Sequence, residues 1–179
     1  MKQNGTRLRR PTPDEYAPGL AGYIAQVTAE DALQALEEQQ REMLQLLDSL
    51  TDERALVRYA PDKWSLKEVL GHIIDTERIF AYRALRFARG DRTPLPGFDQ
   101  DEYVRAARFD ARPLRDLRDE YESVRRATLA LFRGFDEEAL AQRGTANEAE
   151  ATARALAYVI AGHERHHLRI IRNRYLKLD

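Results

Sequence analysis

The sequence predicts an all-α fold, a four-helix bundle with one long crossover between its second and third helices. Three observations carry this. Four long segments repeat apolar residues at spacings of three and four, the signature of an amphipathic helix. No segment alternates apolar and polar residues as a half-buried strand does, and no internal repeat occurs. An irregular stretch from Gly90 to Pro113, too long for a tight helix hairpin, separates the second helical segment from the third.

Residues 1–28 read as an N-terminal arm, polar at first and then punctuated by Pro11, Pro13, Pro18, Gly19 and Gly22. Such a segment is expected on the surface, with at most a short helix around Gly19 to Val27. The bundle domain is expected over 29–179. Its first helix runs from about Glu30 to Leu50 on the seam Leu33, Leu36, Gln40, Met43, Leu47 and Leu50. Gln40 is the polar member of that seam, a register-setting, edge or pocket-lining residue.

A linker from Thr51 to Lys63 contains Tyr59-Ala60-Pro61-Asp62-Lys63, a turn by composition. The second helix then opens on a capping box, Ser65 as N-cap with Glu68 three residues on, and Trp64 is placed to staple against the first turn. Val69, Ile73, Thr76, Phe80, Ala84 and Phe87 form its core stripe, and Gly90 ends it. His72 lies at the edge of the stripe, roughly 80° from its centre, where it can face either the middle of a bundle or solvent. Asp75, Glu77 and Arg78 read as a solvated face from which any one could hydrogen-bond a nearby histidine.

Residues from about Asp99 to Ala107 can form a short helix within the crossover. Pro113 opens the third helix, suiting its first position. Leu114, Leu117, Tyr121, Val124, Thr128, Leu131 and Phe135 make its seam, and Gly134 marks its end. A short turn of helix is expected over Asp136 to Ala141. A loop, Arg143-Gly144-Thr145-Ala146-Asn147, leads to the fourth helix, which starts between Asn147 and Thr152 and runs to about Leu176.

That last helix carries Gly162-His163-Glu164-Arg165-His166-His167, three of the chain's four histidines. Relative to the stripe of Leu156, Val159, Ile160, Ile170 and Ile171, His163 and His167 each fall roughly 20° from the centre. They therefore point inward, one turn apart. His166 and Glu164 fall roughly 80° from the centre on opposite sides. Two buried imidazoles need partners. Carbonyls, hydroxyls or carboxylates would supply them, and so would a metal ion, because histidines at i and i+4 have the spacing of two ligands of one ion.

The segment also matches H-E-x-x-H, the zinc motif in which Glu164 would act as base. Only twelve residues follow His167 and no strand is expected, so a metalloprotease architecture is disfavoured. Glu164 is expected to pair with a surface arginine or to support a ligand from behind, and His166 to sit on the rim.

Composition narrows the function. The 179 residues are 43% hydrophobic and 33% charged with a net charge of -1, which does not favour nucleic acid as a partner. Cysteine is absent, so there is no disulfide, thiolate-bound zinc or protein thiol nucleophile, and thiol chemistry would need a thiol from outside. No run of about 18 apolar residues and no leader-like segment occurs, so neither membrane insertion nor export is expected and the cytoplasm is the expected compartment.

Two motifs, Lys63-Trp64-Ser65-Leu66-Lys67-Glu68-Val69-Leu70-Gly71-His72 and Gly162-His163-Glu164-Arg165-His166-His167, resemble those of the DinB/YfiT-like superfamily of metal-dependent enzymes. The resemblance covers roughly Glu30 to Leu176 and includes the order of helices. It implies a divalent metal ion held by His72, His163 and His167 beside a pocket down the middle of the bundle. It also implies a homodimer, and transfer or isomerisation with a low-molecular-weight thiol such as bacillithiol or mycothiol.

Three imidazoles leave an ion at least one open position, as in catalytic rather than structural sites. Zinc, nickel, iron, manganese or cobalt would accept them. The expected function is a thiol-dependent S-transferase acting on a small-molecule electrophile. The alternatives are a metal-dependent hydrolase and a non-catalytic stress-response bundle.

Overall fold

Four long helices, α2 (Ala32–Asp48), α4 (Leu66–Ala88), α6 (Leu114–Arg133) and α8 (Ala153–Ile170), make the frame of the computed structural model, which describes residues 7–177. Residues 1–6 of the expected arm and the last two residues lie outside the described residues. Between the long helices stand α3 (Asp52–Ala55), α5 (Gln100–Ala107) and α7 (Glu137–Ala141), and α1 (Ala21–Ile24) precedes them. Starts follow local chemistry: the side chains of Asp31, Ser65 and Thr152 accept backbone N–H bonds at the heads of α2, α4 and α8. The Ser65–Glu68 capping box is formed as expected.

Cross-helix pairs fix the topology. Lys67 bonds the carbonyl of Arg112 and Glu77 pairs with Arg125, so α4 and α6 run parallel, as the long crossover between them permits. Gln39 meets Ala161 and Glu42 meets Arg165, so α2 and α8 are also parallel. Asp48 pairs with Arg118 and Leu36 with Arg125, which makes α2 antiparallel to α6. Contacts run between α4 and α8, α4 and α6, α2 and α6, and α2 and α8, closing the ring of four.

The apolar core falls into two clusters. One gathers Leu36, Phe87, Phe132 and Leu156, and the other Met43, Leu70, Leu117 and Ile171. Between them each helix contributes buried polar side chains: Gln39 from α2, His72, Thr76 and Glu77 from α4, Arg125 and Thr128 from α6, His163 and Glu164 from α8. This polar band across the middle positions the candidate site.

Three expectations are corrected. The N-terminal arm does not lie loosely on the surface: Leu8, Ile24 and Val27 are buried and belong to the first cluster. The reason is α8, buried without interruption from Ala153 to Glu164, which needs cover on every side and takes α1 as one of its walls. The backbone approach is close enough that a Cβ on Gly162 would stand 2.0 Å from the Tyr23 carbonyl oxygen.

A strand pair exists where only a loop was expected. β1 (Arg143–Ala146) and β2 (Ala149–Thr152) form an antiparallel hairpin, turned by Asn147 and Glu148 at φ 49° and 61°. Four residues per strand are too few to register as a period of two. Finally, the buried glutamine of α2 is Gln39, not Gln40; it donates to the Ala161 carbonyl at 2.8 Å.

Candidate metal centre

α8 places His163 and His167 one turn apart on the side facing α4, and α4 answers with His72. The Nε2 atom of His163 stands 3.0 Å from Nε2 of His72 and 3.1 Å from Nε2 of His167. One donor atom from each of the three rings lies within 4.8 Å of the others. His72, ambiguous on its own wheel, is 3% exposed and turned into the bundle, and His163 is 6% exposed. The structure thus brings together all three histidines singled out in the sequence.

The surroundings fix the rings. Trp64 packs on His72 with centroids 4.9 Å apart, so the stapling residue also walls the cluster. Tyr23 meets His163 and His166 edge-on, at 5.5 and 6.1 Å. Thr76 Oγ1 stands 3.4 Å from Nδ1 of His72. His166 sits half-buried beside the cluster, in the rim position expected of it.

Electrostatics and geometry agree on what such a cluster accepts. Burial disfavours imidazolium, pushing His72 down to about 4 and His167, with help from His72 and His166, to about 3. His163 is pushed well below its ordinary value by burial and by its histidine neighbours. All three rings are therefore neutral at pH 7 and offer lone pairs. A neutral ring nitrogen holds one proton or one lone pair, so Nε2 of His163 cannot serve both neighbours. A divalent ion with bonds of about 2.0–2.1 Å sets its nitrogens about 3.0–3.4 Å apart. The two spacings from His163 fit that range, and the donor set fits a divalent ion.

A cavity of about 330 Å³ opens beside His167, lined among others by Tyr59, Lys63, Trp64, Asp101 and Tyr175. It connects one edge of the histidine cluster to the outside, near the start of α4 and beside Ile170 and Tyr175.

Behind the histidines lies a second polar cluster that the sequence analysis missed. Arg125 is fully buried and donates two bonds to Glu77, at 2.9 and 2.7 Å, one to Glu164, and one to the Leu36 carbonyl at 2.9 Å. Tyr121 donates its hydroxyl to the other oxygen of Glu164 at 2.7 Å. Glu164 therefore pairs with a buried arginine, not a surface one, and makes no hydrogen bond to a histidine. Burial raises its pKa against the pull of Arg125.

Glu77 leaves the expected solvated face, whereas Asp75 stays half-buried and Arg78 exposed. The signal for Arg125 was present in its spacing: with Tyr121, Thr128 and Phe132 it completes a three-four seam, but its apolar neighbour Val124 claimed the place by residue type.

No curated protein matches the chain. Among solved structures it is similar to YfiT from Bacillus subtilis, described as a probable metal-dependent hydrolase with an unusual four-helix bundle topology. The TM-score is 0.74 at 16% sequence identity, covering 85% of this chain and 90% of that chain, a likeness of fold. The family model of the DinB superfamily matches residues 35–171, a span holding His72, His163 and His167. By that match, the chain belongs to the DinB superfamily.

Proposed function

We propose that the protein is a metal-dependent enzyme in which His72, His163 and His167 hold a divalent ion, and that it transfers a small thiol to an electrophile. The observation that carries the reading is the convergence of three neutral Nε2 atoms, with His163 shared between the other two. A divalent ion on three imidazoles supplies an open coordination position that lowers the pKa of a thiol or water occupying it.

The chain's own residues supply the rest. Burial holds the rings unprotonated, so no proton must leave before they donate. Trp64 and Tyr175 form an apolar wall on which the body of a substrate can lie, and Lys63 and Asp101 offer charges at the cavity edge. With no cysteine in the chain, sulfur must arrive with the co-substrate. In the transfer, the thiol gives its proton to water, sulfur bonds to the electrophilic carbon as the bond from that carbon to the leaving group breaks, and the leaving group departs with the electron pair.

Hydrolysis is the second reading. It uses the same cluster with water in place of the thiol, and it is favoured by the description of YfiT as a probable hydrolase. The test is metal content of untagged protein and of the three single histidine-to-alanine variants, followed by turnover of an electrophile with and without added thiol. One equivalent of metal in the parent, its loss in the variants and turnover only with thiol support the proposal. Turnover without thiol selects hydrolysis. Protein that takes up no divalent ion under any refilling condition leaves the non-catalytic bundle.

A further inference from the structure

We propose that Arg125 is the positioning residue of the histidine cluster, holding the rotation of α8 and α4 so that His163 and His167 meet His72. The inference rests on the metal reading above and concerns residues that touch neither the cavity nor the donor nitrogens.

Each helix that contributes a histidine also contributes a carboxylate to this one guanidinium. Glu164 follows His163 directly, about 100° further round α8, and Glu77 follows His72 by five residues, about 140° further round α4. Arg125 takes Glu77 in a two-pronged grip, at 2.9 and 2.7 Å, and reaches Glu164 with the same Nη2. Its remaining arm ties the Leu36 carbonyl of α2 at 2.9 Å, so all four helices meet at one planar group. Tyr121 seats Glu164 from the other side and lies under the guanidinium, 5.4 Å from its ring centre.

The arrangement acts as a lever. With a side-chain tip about 5–6 Å from the helix axis, turning α8 by about 10° moves an imidazole nitrogen by about 1 Å. That exceeds the roughly 0.5 Å within which a constellation of ligands must be held. The same turn would drag Glu164 from Arg125 and Tyr121.

Stability alone is a poor account of the knot. Replacing a buried ionic triad by apolar side chains of similar volume is often neutral or stabilising, whereas fixing register is a use for which buried polar groups are attested. The planar fork of arginine gives the directionality that a lysine ammonium lacks. Backbone packing acts in the same place: Gln39 bonds the carbonyl of Ala161, and Gly162 lies against Tyr23, both within two residues of His163.

The test uses the full-length chain, metal-free and refilled with Co²⁺. It compares the parent with Arg125→Lys and with the apolar triple variant Glu77→Leu/Arg125→Met/Glu164→Leu. Thermal unfolding of the metal-free forms reads the fold; chelator competition and the visible Co²⁺ spectrum read the site. The expected result is a triple variant at least as heat-stable as the parent that binds Co²⁺ at least 10-fold more weakly with an altered spectrum, and Arg125→Lys folded with the same altered spectrum.

Parent-like affinity and spectrum in either folded variant overturn the proposal. So does failure of both variants to fold, because fold and site would then be inseparable. A parent that binds no Co²⁺ sinks the metal reading itself, a distinguishable outcome.

Discussion

The middle of the bundle holds two polar clusters side by side, and they differ in how far their members satisfy one another. Around Arg125, one guanidinium meets two carboxylates, a carbonyl and, through Glu164, a tyrosine hydroxyl. Among the described residues none of their buried side-chain nitrogens or oxygens lacks a partner. Around His163, by contrast, one nitrogen faces two others that are equally uncharged. The complete cluster is internal scaffolding, because each of its buried polar atoms already has a partner within the protein. The incomplete one is a socket, since a cation would use the lone pairs that the rings cannot give each other.

The comparison can be broken most sharply at His163. His163→Ala should abolish stoichiometric metal, with affinity lower by more than about 100-fold, given that even the outer partners of a ligand are worth about 10–100-fold. Elemental analysis by mass spectrometry decides, and full occupancy in the variant would erase the distinction between the clusters.

Next in size is Arg125→Met, which strands two buried carboxylates. Metal-free protein should lose about 3–5 kcal/mol in denaturant unfolding. His163→Ala under the same metal-free conditions should cost clearly less, because it removes no partner from a charge.

Acid sharpens the contrast from the histidine side. His72 titrates at about 4 in the folded chain against an ordinary 6.5. Above pH 6.5 neither state carries the proton. Between 6.5 and 4 the unfolded chain binds a proton that the folded chain refuses, so this ring alone removes about 1.4 kcal/mol of stability per pH unit. Unfolding midpoints of metal-free protein should fall across that window, and His72→Ala should flatten the slope.

Gly162 precedes His163 on α8, on the side that meets α1 rather than Arg125. A methyl there would collide with the Tyr23 carbonyl at 2.0 Å, so Gly162→Ala should cost about 1–3 kcal/mol and loosen α1. Faster amide exchange in residues 21–24 would show it. The smallest effect is expected at Thr76→Val. Its hydroxyl stands 3.4 Å from Nδ1 of His72, a long contact, and its loss should weaken metal binding by less than about 10-fold.

Much of this was legible in the chain and some of it was not. The capping box at Ser65 and the inward face shared by His163 and His167 depend on residues within a turn or two of each other, and the structure carries both. Arg125 was hidden because side-chain type argued for the surface and the apolar Val124 stood next to it. Glu77 and Glu164 were hidden for the same reason: a charged residue is legible as buried only once its partner is known.

What the sequence determined by itself was the four long helices, their limits to within a few residues, and the inward turn of two histidines, because hydrophobic period and capping act within one segment. What only the tertiary structure decided was facing. A wheel sets the angle of His72 against its own stripe, but which neighbour that angle meets depends on α8, 91 residues further on. The burial of Glu77 likewise waits on an arginine 48 residues away. The N-terminal arm became part of the core because the far end of the chain supplied a helix that needed covering. Local chemistry writes the elements; desolvation, settled between distant residues, assigns the polar ones among them to scaffold or socket.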